Sequence, residues 1–209
     1  SKELITQIEN LIQHNNIVEL ESILHEIHFA DIAEIMNDLD TSEAIYIFNL
    51  LDSEITAEIL LELDDEVREN ILRSLSAKEI AEELDELDTD DAADIIAELP
   101  QSKKAQVISE LEDVEHAKDI VDLLRYDENT AGGIMAKELV KVNENWNVLT
   151  CVKEMRHQAE NVTRVHSIYV VDDEDRLKGR LSLKDLLTTS TKTQISDIYI
   201  KKVDYVRVE

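Results

Sequence analysis

The 209-residue chain has one cysteine, one proline and three glycines, and only 4% of it is aromatic. The single thiol, Cys151, excludes an internal disulfide and suits a reducing compartment. Glycine and proline are too few for a strand-rich fold built on tight turns. With 43% apolar residues, the composition favours helices packed through Leu, Ile and Ala. No stretch approaches the roughly 18 apolar residues of a membrane helix, and Ser1 to Asn10 lacks the pattern of a signal peptide. The chain is therefore expected to be soluble and cytoplasmic in character, which is compatible with its being the soluble part of something larger.

Positive charge is scarce as well, but only in one part. Residues 1–128 hold 36 Asp and Glu against 8 Lys and Arg, while 129–209 hold 12 against 13. The net charge of −27 thus lies in the first part, which marks two domains with different work. A surface this acidic repels phosphate backbones and anionic lipid, which argues against nucleic acid as a partner and for cations or basic surfaces.

Leucine recurs every twelve residues, at Leu39, Leu51, Leu63, Leu75, Leu87, Leu99, Leu111 and Leu123. Apolar pairs such as Ile35/Met36, Ile59/Leu60 and Ile95/Ile96 stand three to four residues earlier, and Ala33, Ala57, Ala81, Ala93, Ala105 and Ala117 stand six earlier. These offsets share one face of a helix. Asp40, Asp52, Asp64, Ser76, Asp88 and Pro100 follow the leucines as turn or capping residues. Each unit holds a helix of about nine residues, ~15 Å long, and a tight turn. Helices so short persist only by stacking, so the units are expected to form a superhelix with a carboxylate outer face. On repeats alone this is a protein-interaction solenoid. Its concentrated negative charge, however, calls for counter-ions, and divalent cations supply them efficiently.

Gly132-Gly133 breaks the pattern. Beyond it, Val140 to Val142 reads as a strand and Ile168 to Val171 as a buried one, with Val148, Val152, Met155 and Ala159 at helical spacing between them. Leu177 to Leu183 reads as a returning strand and Leu183 to Leu187 as a helix, which completes an α+β module. The run from Tyr169 to Leu187, and within it Gly179-x-x-Ser182-x-x-Asp185, resembles the hairpin and closing helix of a CBS module. Gly179 permits close approach of the chain, and Ser182 caps the helix that carries Asp185. Asp175 stands where that family usually has a turn glycine, and aspartate tolerates positive φ better than most residues. Ile134, Leu139 and Val142 recur 64 residues later as Ile198, Val203 and Val206, as if a second module starts and is cut at Glu209.

An acidic superhelix, then Tyr126-x-x-x-x-Thr130-Ala131-Gly132-Gly133-Ile134-Met135, then CBS modules is an order that resembles the MgtE family over essentially the whole chain. The expected fold is multidomain: an all-α short-helix superhelix over 1–128, followed by an α+β CBS domain. Its first module covers 129–193 and a truncated second one 194–209. The resemblance implies a cytosolic region at the cytoplasmic face of the cell membrane, preceding a membrane-embedded channel domain of the same polypeptide. It also implies a homodimer through the CBS domains, and channel closure when magnesium is plentiful.

Magnesium takes oxygen ligands, keeps several waters and often binds through only one or two carboxylates. Asp91 and Asp94 share a helical face, with Asp90 at its border, and they resemble the family's paired metal-binding acids on the helical domain. The macrodipole alone also favours acids in a first helical turn. By the same resemblance, the matching ligands lie largely on the second module and a linker helix beyond Glu209. The acidic turn Asp172 to Asp175 is a weaker cation candidate. CBS tandems often bind adenine nucleotides, a use that Asp185, Ser182 and Lys184 fit. His25 and His28 lack a third ligand and read as inert, and Cys151 and Trp146 read as packing residues. No nucleophile with a base, phosphate-cradling glycine loop or acid/base carboxylate pair stands out, so no enzyme is expected. The alternatives to a magnesium sensor are an adenine-nucleotide-sensing CBS module and an interaction scaffold, since short-helix superhelices also resemble those of the flagellar motor switch protein.

Overall fold

The computed structural model describes residues 2–127, 129–159, 162, 165 and 167–208. The chain divides into two compact units. One runs up to Leu87 and from Asp91 to Leu124; the other takes Asp88–Asp90 and the chain from Arg125 onward.

The first unit is helical, with α1 (Lys2–Gln13), α2 (Ile17–His25), α3 (Phe29–Asp38), α4 (Thr41–Phe48), α5 (Ser53–Glu62), α6 (Asp65–Ser74), α7 (Ala77–Leu84), α8 (Thr89–Glu98), α9 (Gln101–Glu110) and α10 (Val114–Leu123). From α3 onward each helix fits within one twelve-residue period, but neighbours in sequence are not the principal packing partners. Alternate helices stack: α3 on α5, α5 on α7, α7 on α9, and α4 on α6. The packing unit is therefore two periods, and buried positions repeat accordingly. Ile32, Ala33, Ile35 and Met36 of α3 correspond to Thr56, Ala57, Ile59 and Leu60 of α5, and to Ile80, Ala81, Glu83 and Leu84 of α7. Each fully buried large aliphatic side chain contributes about 1.5–3 kcal/mol, and the alanines allow the axes to approach closely.

The repeat leucines do other work than the spacing suggests. Leu39, Leu63, Leu75 and Leu111 are C-caps with extended backbone, turning inward just after the helix ends. Leu39 and Leu51 are only half-buried, as is Ala117, and Ala105 is exposed. At helix starts, Asp40 and Ser76 form full capping boxes with Glu43 and Glu79, whereas Asp52 and Asp64 stand at the N-cap without a side-chain bond.

Helix C-termini are met by side-chain donors from Lys, Arg and His. Lys103 Nζ donates to the Leu72 and Leu75 carbonyls at the end of α6, at 2.9 and 2.5 Å. Arg68 donates to the Leu63 carbonyl at 2.9 Å and, more weakly, to that of Leu60, while its other nitrogens hold Asp65 and Glu98. Lys104 Nζ donates to Ala97 O at 2.9 Å, and His116 Nε2 to Leu84 O at 3.1 Å. Positive groups are favoured there by the helix dipole and by the orphan carbonyls of the last turn.

The second unit is built on β1 (Val140–Asn143), α11 (Val148–Gln158), β2 (Ile168–Val171), β3 (Leu177–Leu181) and α12 (Leu183–Thr188). The sheet order is β1-β2-β3, with β1 parallel to β2 and β2 antiparallel to β3. Val140, Val142, Ile168, Val170 and Leu181 face a core closed by Val148, Cys151, Leu186 and Ile195, with Trp146 packed beside them. β2 is not buried throughout as its composition suggests: burial alternates, and Tyr169 and Val171 lie on the partly open face. Asp175 takes φ of 59° in the hairpin turn. Gly179 is required by proximity, because a Cβ there would overlap the Ile200 carbonyl oxygen and the Tyr199 ring. Ile200 N donates to Arg180 O at 2.8 Å and Arg180 N to Ile200 O at 3.0 Å, which seats the later chain beside β3. Ile198 and Val203 are half-buried there, whereas Val206 is 80% exposed and in no strand, unlike Val142, which is buried through β1 pairing.

Lys103→Met would leave two helix-end carbonyls without their charged donor. The expected loss is about 1–3 kcal/mol, read as a lower midpoint in urea unfolding. Lys78→Met, at a side chain 70% exposed, should shift it by less than about 0.5 kcal/mol.

Candidate functional site

The acids singled out for magnesium fall on the first turns of α8, with Asp90 and Asp91 half-buried and Asp94 exposed. Asp90 Oδ1 is buried without a hydrogen-bond partner among the described residues, an arrangement that costs free energy unless a cation or water serves it. Asp85 Oδ1 is in the same condition, although its Oδ2 accepts from Glu112 N at 3.0 Å. Among the described residues, no three or more His, Cys, Asp or Glu side chains converge closely enough to hold a metal. A Mg2+ at these acids would take one or two carboxylates and otherwise keep its waters.

Thr89, the first residue of α8, belongs to the second unit and is 1% exposed. Its N–H donates to Glu138 Oε1 and its hydroxyl to Glu138 Oε2, both at 2.9 Å, and the hydroxyl accepts from Lys137 N at 3.0 Å. Glu138 therefore supplies the carboxylate that this helix start needs. Sequence reasoning missed this pair, because nothing local joins residues 49 positions apart.

The acids of the turn are bonded within their own unit. Asp172 accepts from Arg176 N, Glu174 N and Arg176 Nε at 2.9–3.1 Å, and the backbone bond from Arg176 leads the effects that hold its carboxyl below the usual range. Asp173 accepts from Asn143 and Asn145, Glu174 pairs with Arg176, and Asp175 pairs with Lys141 at 2.6 Å. Every acid of the turn has a partner within its own unit, two of these partners being cations, Lys141 and Arg176. His28 caps α3, accepting from Ala30 N at 3.3 Å, and Cys151 is buried in the core with its thiol pushed up to about 11 by desolvation.

Of the three nucleotide candidates, Ser182 caps α12, accepting from Asp185 N at 3.4 Å, while Lys184 and Asp185 are exposed on that helix. Ser182 also lines a cleft of about 300 Å³ with Ser167, Arg180 and Ile200. A second cleft of about 440 Å³ shares Ser167, Arg180 and Ile200 with it and is also bordered by Tyr169, Lys202 and Asp204. Lys184 and Asp185 line neither. Arg180, Tyr169 and Lys202 are the residues that sequence reasoning overlooked; the signal available was a lone arginine alternating with Gly179 and Leu181 on a strand.

Residues 27–129 match the model of the MgtE intracellular N domain, and residues 131–191 match that of the CBS domain. The chain belongs to the MgtE family. It is 38% identical over 104 residues to the magnesium transporter MgtE of Thermus thermophilus, an alignment covering 46% of this chain and 23% of that protein. The magnesium transporter MgtE of Enterococcus faecalis is 37% identical over 94 residues, covering 45% and 21%. The matched stretch therefore spans less than a quarter of these relatives. Among solved structures, the cytosolic domain of the Mg2+ channel MgtE in complex with ATP superposes with a TM-score of 0.87 at 31% identity, covering 98% of this chain and 84% of that one. The soluble part of a magnesium transporter superposes with a TM-score of 0.81 at 28% identity, covering 99% and 81%. This MgtE-family chain thus carries the family's helical N domain and a CBS domain. Among its described residues no helix is long and apolar enough to cross a membrane.

Proposed function

We propose that the chain is the cytosolic, magnesium-responsive regulatory region of an MgtE-type channel, in which Mg2+ bound at the α8 acids bridges the acidic helical unit to the CBS-containing unit and biases gating. The observation that carries this reading is the use of positive charge. Of the 8 Lys and Arg in residues 1–128, Lys103 and Lys104 place their amines on helix-end carbonyls, and Arg68 divides its donors between such carbonyls and the carboxylates of Asp65 and Glu98. Eight cations cannot balance 36 acids, so most of the negative charge calls for external counter-ions. Moving a two-state equilibrium from 1:99 to 99:1 takes about 5.5 kcal/mol of differential binding, which several weak sites can share.

A homodimer through the second unit accompanies this reading. Ile134, Leu187, Tyr205 and Val206 are 67–84% exposed there, an apolar surface that association covers. Adenine-nucleotide binding is a second reading, favoured by the cleft in which Arg180 and Lys202 offer positive charge beside Ser167 and Ser182. A structural relative crystallised with ATP lends it support. Lys184 and Asp185, exposed on α12, line neither cleft, so of the three candidates only Ser182 supports this reading.

Millimolar magnesium should compact the protein in small-angle scattering at constant ionic strength. Asp91→Asn/Asp94→Asn should blunt the response, whereas Glu34→Gln/Asp38→Asn, an equal charge change on exposed α3 acids, should not. Asp65 makes a poor control because it holds Arg68. If both double variants behave like the parent, the α8 assignment is wrong. For the dimer, sedimentation equilibrium should give twice the monomer mass, and monomer alone at high concentration contradicts it. Calorimetric titration should detect ATP, with Arg180→Ala weakening it about tenfold, the worth of ~1.4 kcal/mol; unchanged affinity in that variant removes the cleft from consideration.

A further inference from the structure

The alternate-helix stack α3–α5–α7 has two departures from its aliphatic pattern. Thr56 stands where α3 has Ile32 and α7 has Ile80, and Glu83 stands where α3 has Ile35 and α5 has Ile59. These two residues meet: Thr56 Oγ1 lies 2.6 Å from Glu83 Oε2, in a seam where Glu83 is 8% and Thr56 1% exposed. Thr56 Oγ1 also lies 3.2 Å from Asp52 O, one helical turn earlier.

Counting protons decides what this arrangement holds. A threonine hydroxyl has one hydrogen to donate, a carbonyl can only accept, and an ionised carboxylate can only accept. With Glu83 ionised, Thr56 serves either Glu83 or Asp52 O, and a buried carboxylate keeps its charge without a cation. With Glu83 protonated, both short contacts are hydrogen bonds at once. We propose that Glu83 and Thr56 form a proton-linked latch in the α5–α7 seam, in which Glu83 Oε2–H donates to Thr56 Oγ1 and Thr56 donates to Asp52 O. Release of that proton to solvent weakens the seam.

The charged surroundings favour the protonated form. On α7 and just after it, Glu82 and Glu86 add negative potential. From α5, Thr56 presents a hydroxyl, and of the acids on that helix Glu54 and Glu62 are exposed and Glu58 is half-buried. From α9, Lys103 and Lys104 have their amines on the Leu72, Leu75 and Ala97 carbonyls, and Glu110 is exposed. From α10, His116 reaches the Leu84 carbonyl at the end of α7. Burial, the largest effect, lifts the Glu83 carboxyl from 4.5 to about 7, against the opposing hydrogen bond of Thr56. Because the folded value is the higher one, stability tied to this proton is full below the ordinary glutamate range and is lost as pH rises through about 7. Magnesium at α8 plays no part in the latch, so the two can fail independently.

The test is a carboxyl-carbon NMR titration of the full chain, with thermal unfolding of the parent and of Glu83→Gln at about pH 6 and about pH 8. The Glu83 carboxyl should titrate near 7. The parent's melting temperature should fall between the two pH values relative to Glu83→Gln, whose amide donates to Thr56 at either pH. A Glu83 carboxyl that titrates in the usual carboxylate range overturns the proposal, as do parallel melting profiles. Should Glu83→Gln fail to fold, the parent titration still decides.

Discussion

A helix of eight to ten residues is mostly ends. α4 and α7 have eight residues each, so nearly every backbone group in them lies within four residues of a terminus and lacks an intrahelical partner on one side. The first unit stands on the way those ends are served. Its starts take carboxylates and hydroxyls from the local sequence, as at Asp40, Ser76 and Asp113. Its C-termini take side-chain donors from elsewhere in the stack, Lys103 reaching from α9 to α6 and His116 from α10 to α7. A domain with so few basic residues thereby places several of them where backbone dipoles and packing both require them, and its acidic surface follows from that allocation.

The polar residues inside the stack show two solutions to one problem. Arg68 takes the α6 position that corresponds to buried Ala44 in α4 and Ala92 in α8, and it is satisfied by two carbonyls and two carboxylates. Glu83 takes an isoleucine position and meets a single hydroxyl. A charge with matched partners can stay charged inside a protein; a carboxyl without a cation is better kept neutral. The second unit follows the first solution at its hairpin, where Lys141, Arg176, Asn143 and Asn145 answer four acids.

Sequence and structure agree wherever the determinant is local. The twelve-residue period, the capping of α4 and α7, the positive φ of Asp175 and the Ser182 cap of α12 each depend on residues a few positions apart, or on one backbone conformation. The placement of Asp90, Asp91 and Asp94 at the start of one helix was legible for the same reason. The clefts beside β3 were not, since Arg180 and Lys202 come together only after the chain beyond Ile198 returns to that strand.

By itself, then, the sequence determined that short capped helices precede an α+β module, and that the net negative charge lies in the helical part. Only the tertiary structure decided that alternate helices stack, that the repeat leucines sit in the turns, and that Lys103, Arg68 and His116 close foreign helix ends. It alone decided that Thr56 meets Glu83 and Thr89 meets Glu138, across 27 and 49 residues. The physical reason is one of range: helix periodicity and capping act within a turn or two of the chain. A hydrogen bond between distant residues exists only where packing has already brought the two backbones together.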